Sequence, residues 1–270
     1  MADGLQGEKD RAVSELIQRV PLASPEARLW GWALFALRPN LPVYDSGHPM
    51  ITLYHCHDAR SFRPLWALEE LELPYDLRML PFPPRFLKKE YLQENPLGTI
   101  PLLVDGETRM TESAAIVEYL SRRYGKPGGL AVEPDEPGFG AWLNALHFGE
   151  ATLTFPQTLV LRYTRLEPEA RRQPQVADDY AKWFLARLRG LDAIVSQAEF
   201  VAAGRFTGGD ISVAYALLLA RSLGLADRFP PAVADYWARM QDRPAFKRAK
   251  AAQREASAEQ GLTAVPLDQL

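Results

Sequence analysis

Between residues 50 and 125 the apolar residues change their spacing from a strand period to a helical period and back within short segments. Residues 51–55 alternate and are rich in β-forming side chains. Leu65, Leu68 and Leu71 then share one face of a predicted helix, and residues 75–80 form the next predicted strand. Ser61 stands where it can cap that helix, with Pro64 in the first turn. This order predicts a βαβ unit.

A hairpin and another helix are predicted directly after this unit. A short helix over residues 87–93 ends at the turn residues 95–98. Predicted strands at 101–104 and 107–110 flank Asp105-Gly106, which is the strongest short hairpin signal. The second strand leads into a helix that begins at residues 111–113 and ends at 124–125. The predicted order is therefore β-α-β-α-β-β-α, an α/β arrangement.

Beyond residue 125 the strand pattern disappears. A Gly- and Pro-rich linker is predicted at 126–137, followed by helices at 139–163, 176–195, 210–223 and 232–240. An all-helical bundle domain over 138–256 with a tail at 257–270 is the economical interpretation. Residues 1–49 form a leader, predicted as two short helices; it docks on a dimer, lies against a membrane surface, or is absent if translation starts at Met50.

One helix start in this second part has a complete capping signal. Thr207 and Asp210 have the spacing of a capping box, and Phe206 and Ile211 are placed to form the hydrophobic staple beside it. This segment is predicted to serve folding and not chemistry.

Composition excludes several classes of function. The 270 residues include 31 Lys and Arg against 34 Asp and Glu, with no block of like charges, which argues against a nucleic-acid partner. The single cysteine, Cys56, forms no internal disulfide and suits a reducing compartment, so a cytoplasmic location is expected. The longest apolar run, at 211–220, is too short for a membrane span, and the acidic first residues do not resemble an export signal.

Several segments carry motifs that few families share. They are Ala59-Arg60-Ser61-Phe62-Arg63-Pro64-Leu65-Trp66, Asn95-Pro96-Leu97-Gly98-Thr99-Ile100-Pro101, Thr111-Glu112-Ser113-Ala114-Ala115-Ile116 and Arg205-Phe206-Thr207-Gly208-Gly209-Asp210. Together they resemble the cytosolic glutathione S-transferase family, the first segment most closely its bacterial and fungal members. The resemblance extends from about Met50 to about Gln253, and the leader has no counterpart in the usual family pattern.

The resemblance implies a thioredoxin-like glutathione-binding domain at 50–125 in front of the helical bundle. It implies glutathione as co-substrate without a metal, a small hydrophobic electrophile as acceptor, a role in detoxification, and a homodimer. Ile100 and Pro101 match the family's cis-proline segment, which offers backbone pairing to the cysteinyl part of glutathione. Ser113 is expected to hold the γ-glutamyl carboxylate at a helix N-terminus, Glu112 the ammonium group, and Arg60 is expected to contact the ligand.

The group that stabilises the glutathione thiolate stays open between two hydroxyls. Tyr54 lies on the strand where some family classes carry a catalytic tyrosine, and Ser61 lies near the position of a catalytic serine. That serine position itself is occupied by Ala59. Cys56 is interpreted as a buried structural thiol. Successive residues of an extended segment point to opposite faces, so the run His55, Cys56, His57 and Asp58 is not expected to converge as a metal site.

Two alternative functions share this fold. Cys56 allows a glutathione-dependent reductase or peroxidase that forms a mixed disulfide. A non-catalytic binding module that keeps the fold for a partner surface is the other alternative, because fold alone does not determine function.

Overall fold

A computed structural model of the chain describes residues 50–262, so the predicted leader and the end of the predicted tail lie outside the described residues. Its sheet has four strands in the order β2-β1-β3-β4. These are β1 (Ile51–His55), β2 (Tyr75–Met79), β3 (Leu102–Asp105) and β4 (Thr108–Met110). Strand β1 runs parallel to β2 and antiparallel to β3. The predicted hairpin is present, but its turn is shifted by one residue. Asp105 still pairs with Thr108, so the turn residues are Gly106, with a φ of 60°, and Glu107.

The sheet is accompanied by helices α1 (Phe62–Glu70), α2 (Pro84–Leu87) and α3 (Ser113–Tyr124). The predicted β-α-β-α-β-β-α order and the thioredoxin-like fold are confirmed. The predicted helix at 87–93 differs: a short α2 comes first and a 3-10 turn, Lys89–Gln93, follows it. Pro84 can open α2 because a helix needs no N–H at its first position.

The prediction that Ser61 caps α1 is wrong. Ser61 has helical backbone angles, with φ −63° and ψ −10°, and its side chain makes no capping hydrogen bond. A capping residue needs an extended backbone to turn its oxygen toward the free N–H groups of the first turn. The Ser61 hydroxyl instead points into the protein interior.

The rest of the described chain is helical. It contains α4 (Phe139–His147), α5 (Phe155–Leu161), α6 (Pro174–Val195), α7 (Gly208–Ser222), α8 (Pro231–Asp242) and α9 (Pro244–Glu259). Helix α9 was not predicted as a helix. The single helix predicted at 139–163 is α4 and α5 joined by a widened π-helical segment, Phe148–Thr154. No helix among residues 50–262 is long and apolar enough to cross a membrane.

One hydrophobic core runs through both parts of the described chain. It joins Ile51 and Leu53 of β1 to α1 and α3, and continues into α7, which is buried along most of its length. Gly149 allows the π-helical segment to approach α7, because a Cβ atom there would stand 2.5 Å from the backbone of Ser212. Helix α9 packs against α1 and β2. The exact domain boundaries stay predictions.

The predicted capping box at the start of α7 is confirmed. The Thr207 hydroxyl accepts a hydrogen bond from the Gly209 N–H at 3.2 Å, and the Asp210 carboxylate accepts one from the Thr207 N–H at 2.9 Å. Asp210 also accepts from the Tyr236 hydroxyl at 3.0 Å and the Val201 N–H at 3.0 Å. The box therefore closes a buried helix start and joins it to α8.

Replacing Thr207 with Ala should lower the free energy of unfolding by about 1 kcal/mol, because it removes a capping oxygen from a buried helix start. Thr207→Ser keeps the hydroxyl and is the matched control, which should lose much less. Urea titration followed by far-ultraviolet circular dichroism measures both values. Equal losses in the two variants would contradict the role given to the hydroxyl.

Candidate functional site

An open cleft of about 180 Å³ lies where the sheet part meets α5 and α7. One wall is the loop before α1 together with the proline-rich segment before α2. The opposite wall comes from helices α5 and α7. The residues that line it are Ala59, Arg60, Phe82, Pro83, Pro84, Arg85, Gly98, Thr99, Ile100, Thr158, Leu161, Tyr215 and Leu219.

The loop between β1 and α1 turns sharply to bring Ala59 and Arg60 to this cleft. The Ala59 N–H donates to the Cys56 carbonyl at 3.1 Å, and Asp58 adopts a left-handed φ of 53°. Within the part of the chain that the structure describes, the backbone N–H groups of Arg60 and Ser61 donate no hydrogen bond. They stand at the positive end of the nine-residue helix α1. The cleft therefore meets a local positive potential here.

A second segment, ending in Ile100, forms the edge of the cleft. Its Ile100–Pro101 peptide bond is cis. The Thr99 carbonyl accepts hydrogen bonds from the Asn95 amide and the Tyr91 hydroxyl, both at 2.8 Å. Gly98 allows the close approach of α2, because a Cβ atom on it would stand 2.6 Å from the Arg85 Cβ. The backbone around Thr99 and Ile100 is thus held in place from behind.

A buried cation connects these segments with the helical part. The Arg63 side chain is fully buried and donates to the Ser113 hydroxyl at 3.0 Å, to Thr154 Oγ1 at 2.7 Å, and to Glu150 at short distance. Burial lowers the pKa of Arg63 from its ordinary value, and the Glu150 carboxylate opposes that shift. The other oxygen of Glu150 pairs with Arg60 at 2.8 Å. One carboxylate thus bridges a buried arginine and an arginine of the cleft wall.

Sequence reasoning missed Glu150. Its signal was weak, a single acidic residue inside a mostly apolar helical stretch, because nothing local shows that two arginines of α1 and its preceding loop converge on it.

Of the residues predicted to bind the ligand's γ-glutamyl end, Ser113 opens α3 and is nearly fully buried. Glu112 is exposed beside it. Neither of them lines the cleft itself.

Neither predicted thiolate-stabilising hydroxyl lines the cleft. Ser61 is fully buried, and its Oγ lies 2.6 Å from His55 Nδ1. Tyr54 is half-buried beside Tyr91, with the ring centroids 5.4 Å apart, and burial raises the pKa of its hydroxyl. The sequence predicts that both hydroxyls lie near the loop between β1 and α1, but it does not show in which direction they point.

Cys56 is fully buried in a small apolar cluster with Leu80 and Leu102. Burial raises the pKa of its thiol far above the ordinary value. Its Sγ approaches the Pro81 carbonyl at 3.6 Å. A protonated, enclosed thiol is a poor nucleophile, as was predicted from the sequence. The described residues contain no group of three or more side chains placed to hold a metal ion.

Comparison with known proteins relates this geometry to one family. The family model for the glutathione S-transferase N-terminal domain matches residues 59–123. Glutathione S-transferase 3 of Schizosaccharomyces pombe is 38% identical over 104 residues, which are 38% of this chain and 43% of that protein. Glutathione S-transferase hmp2 of Hypomyces subiculosus is 31% identical, covering 56% of this chain and 71% of that protein. Glutathione S-transferase GstB of Escherichia coli is 29% identical, covering 74% and 97%.

Solved structures give the same fold. The glutathione transferase URE2P8 from Phanerochaete chrysosporium, crystallised with oxidized glutathione, superposes with a TM-score of 0.68 at 23% identity and covers 79% of this chain and 99% of that one. Ure2p5 of the same organism, cocrystallised with 1-(S-glutathionyl)-2,4-dinitrobenzene, has a TM-score of 0.66 at 22% identity, covering 77% and 96%.

Glu150→Gln should lower the free energy of unfolding by on the order of 3 kcal/mol, because it leaves the buried Arg63 guanidinium without its compensating charge. The matched control is Glu118→Gln, which breaks the half-exposed pair with Arg122 on α3 and should cost about 0.5 kcal/mol or less. Chemical denaturation of the two variants and the parent chain measures the difference. A Glu150→Gln loss no larger than that of the control would contradict a structural charge pair.

Proposed function

The chain belongs to the glutathione S-transferase family, and from this we propose that it binds glutathione in the cleft and transfers it to a small hydrophobic electrophile. One observation carries the proposal. Two of the residues that the family resemblance assigns to glutathione, Arg60 and Ile100, line the cleft, and apolar side chains of α5 and α7 face them. Such a site brings a polar tripeptide and an apolar acceptor together.

The glutathione backbone would extend along the edge at Ile100, whose main chain pairs with the cysteinyl part. Its γ-glutamyl carboxylate would lie toward the start of α3, where Ser113 and free N–H groups favour a negative charge. Glu112 is exposed beside them and would accept from the ammonium group. Pro101, next to Ile100, keeps this edge in its observed shape.

The thiol attacks only as a thiolate, so the site must favour the deprotonated sulfur. Two arginines line the cleft, Arg85 on α2 and Arg60 at the start of α1. Beside Arg60, the unbonded N–H groups of Arg60 and Ser61 add the positive end of α1. We assign the stabilisation of the glutathione thiolate to these groups. The thiol proton leaves to solvent, the sulfur bonds to the electrophilic carbon, and the leaving group departs with the bonding electrons. Tyr54 and Ser61 stay predictions that the cleft geometry does not favour.

The acceptor is proposed to be a single-ring or similarly small apolar electrophile. Its wall consists of Phe82, Leu161 and Leu219. Transition-state stabilisation here is electrostatic and needs no general-base side chain.

Assembly, location and physiological role are proposed with the same function. A homodimer agrees with the preference of soluble oligomers for closed twofold symmetry. A cytoplasmic protein and a detoxifying role accord with a lone, buried cysteine and a small apolar acceptor site. The alternative reductase function would need a reactive Cys56, and that enclosed thiol offers no reactive sulfur.

The purified chain should be retained on immobilised glutathione and should conjugate glutathione to chlorodinitrobenzene, because its cleft offers both a glutathione edge and an apolar acceptor wall. Retention and the absorbance change of the conjugate measure these properties. Binding without turnover would favour the non-catalytic module. Absence of both would contradict the proposal.

Arg60→Ala should lower kcat/KM about a hundredfold and raise the apparent pKa of bound glutathione, because it removes an electrostatic donor from the thiolate. Tyr54→Phe and the control Arg78→Ala, an exposed arginine on β2, should stay within about twofold of the parent. The pH dependence of kcat/KM reports the thiol pKa. A large effect in Tyr54→Phe with none in Arg60→Ala would return the role to the tyrosine.

A further inference from the structure

The loop that carries Ala59 and Arg60 is held from behind by α9. Gln253, at the middle of α9, is fully buried. Its Nε2 donates to Asp58 Oδ1 at 2.7 Å, while its Oε1 accepts from the Asp58 N–H at 3.2 Å. One turn earlier, Lys250 Nζ contacts both Asp58 carboxylate oxygens, at 2.5 and 2.7 Å. Two residues of the last helix therefore fix one loop residue by both its side chain and its main chain.

The same glutamine extends the network to Ser61. Its Oε1 lies 2.8 Å from His55 Nε2, and His55 Nδ1 lies 2.6 Å from the Ser61 hydroxyl. Ser61 Oγ also accepts from the Cys56 N–H at 3.2 Å. Both ends of the 56–61 loop are thus connected to α9.

The donors and acceptors of this chain can be assigned in only one way. A carboxylate accepts only, so the Gln253 amide nitrogen faces Asp58 and its oxygen faces His55. His55 must then donate from Nε2, which leaves Nδ1 as an acceptor. The single Ser61 hydroxyl hydrogen goes to that nitrogen at 2.6 Å, because the other acceptor within reach, the Cys56 carbonyl, lies at 3.5 Å. Ser61 consequently has no proton left for a glutathione sulfur, which gives its hydroxyl a structural role.

Burial makes each bond of this network costly to lose. His55, Ser61 and Gln253 are fully buried, and burial lowers the pKa of His55 to about 4, which keeps its ring neutral. Asp58 adopts a left-handed φ of 53°, a conformation that is uncommon for residues other than glycine, although aspartate and asparagine adopt it more often than most. The contacts from α9 hold it there. The Tyr215 hydroxyl, from the opposite wall of the cleft, adds a contact to the Asp58 carbonyl at 3.4 Å.

We propose that Gln253 and Lys250 make α9 a positioning element of the cleft, because they hold Asp58 in the turn that presents Ala59 and Arg60 to the ligand. The inference rests on the proposed function for what is bound there. The hold on the loop itself involves protein groups alone. Gln253 is buried and does not line the cleft, so it is a positioning residue.

The test compares two glutamines of the same segment. Gln253→Ala removes the connection to the loop. The control Gln260→Ala removes a connection of the same kind to β2, where Gln260 bonds Leu77 and Met79 at 2.7 and 2.9 Å. We expect Gln253→Ala to lower kcat/KM for glutathione about tenfold or more and to raise the bound thiol pKa, because small misplacements of a positioned group are costly. Gln260→Ala should stay within about twofold. Similar values in both variants would overturn the proposal.

Hydrogen exchange in the unliganded protein separates this inference from the proposed function. The amides of Cys56, Asp58 and Ala59, which donate hydrogen bonds in this loop, should exchange about tenfold faster in Gln253→Ala than in the parent and Gln260→Ala. This result is expected whether or not the chain turns over glutathione. Loss of glutathione binding in the parent chain would contradict the proposed function only. Unchanged exchange at the loop would contradict the positioning role itself.

A pair of substitutions provides a rescue. Gln253→Glu has the same shape but sets two carboxylates against each other, so it should lose activity and loop protection as Gln253→Ala does. Adding Asp58→Asn restores a donor opposite an acceptor, although it removes one of the two oxygens that face Lys250. Activity should therefore recover in part, at least about threefold, through coupling of neighbouring sites. This comparison decides the matter if Gln253→Ala fails to fold. Additive losses in the double variant would overturn the proposal.

Discussion

The buried guanidinium of Arg63 is the interaction on which the arrangement of the two parts depends. It lies on α1 of the sheet part, and its partners lie on α3, on the π-helical segment and on α7. Burying such a cation costs several kcal/mol unless every donor finds an acceptor and a counter-charge is present. The Gly149 and Ser212 carbonyls, Thr154 Oγ1 and Glu150 provide them, and the Tyr215 ring stacks at 4.3 Å. The relative placement of α1 and α7 follows from meeting this requirement.

The widened turn before α5 is part of the same arrangement. The segment Phe148–Thr154 delivers the Gly149 carbonyl, the Glu150 carboxylate and the Thr154 hydroxyl to one guanidinium. The absence of a side chain on Gly149 lets the segment approach Ser212 closely enough to complete the set. Irregular helical turns of this kind are often found at functional sites. Here the irregularity serves a charge that lies directly behind the cleft wall.

The sequence predicted what depends on neighbours along the chain. Alternation in β1, the Asp105-Gly106 hairpin and the Thr207 capping box each depend on residues a few positions apart, and each is confirmed. Helix α9 was missed because, apart from Phe246, the residues it buries are small or polar, such as Ala249 and Gln253. Its attachment depends on partners nearly two hundred positions earlier. The direction in which Ser61 points was hidden for the same reason, since a distant glutamine sets the tautomer of His55.

The balance of charges around the start of α1 lets this one segment take part both in the fold and in the proposed ligand site. Arg60 and Arg63 carry two positive charges, and Glu150, between them, carries one negative charge. The ion pair between Glu150 and Arg63 compensates the charge buried in the core. Arg60 is 35% exposed, so part of its charge stays available to the cleft. The unbonded N–H groups at the start of α1 add to the same side. Under the proposed function, an anionic sulfur placed there would complete the neutralisation that Glu150 only half supplies.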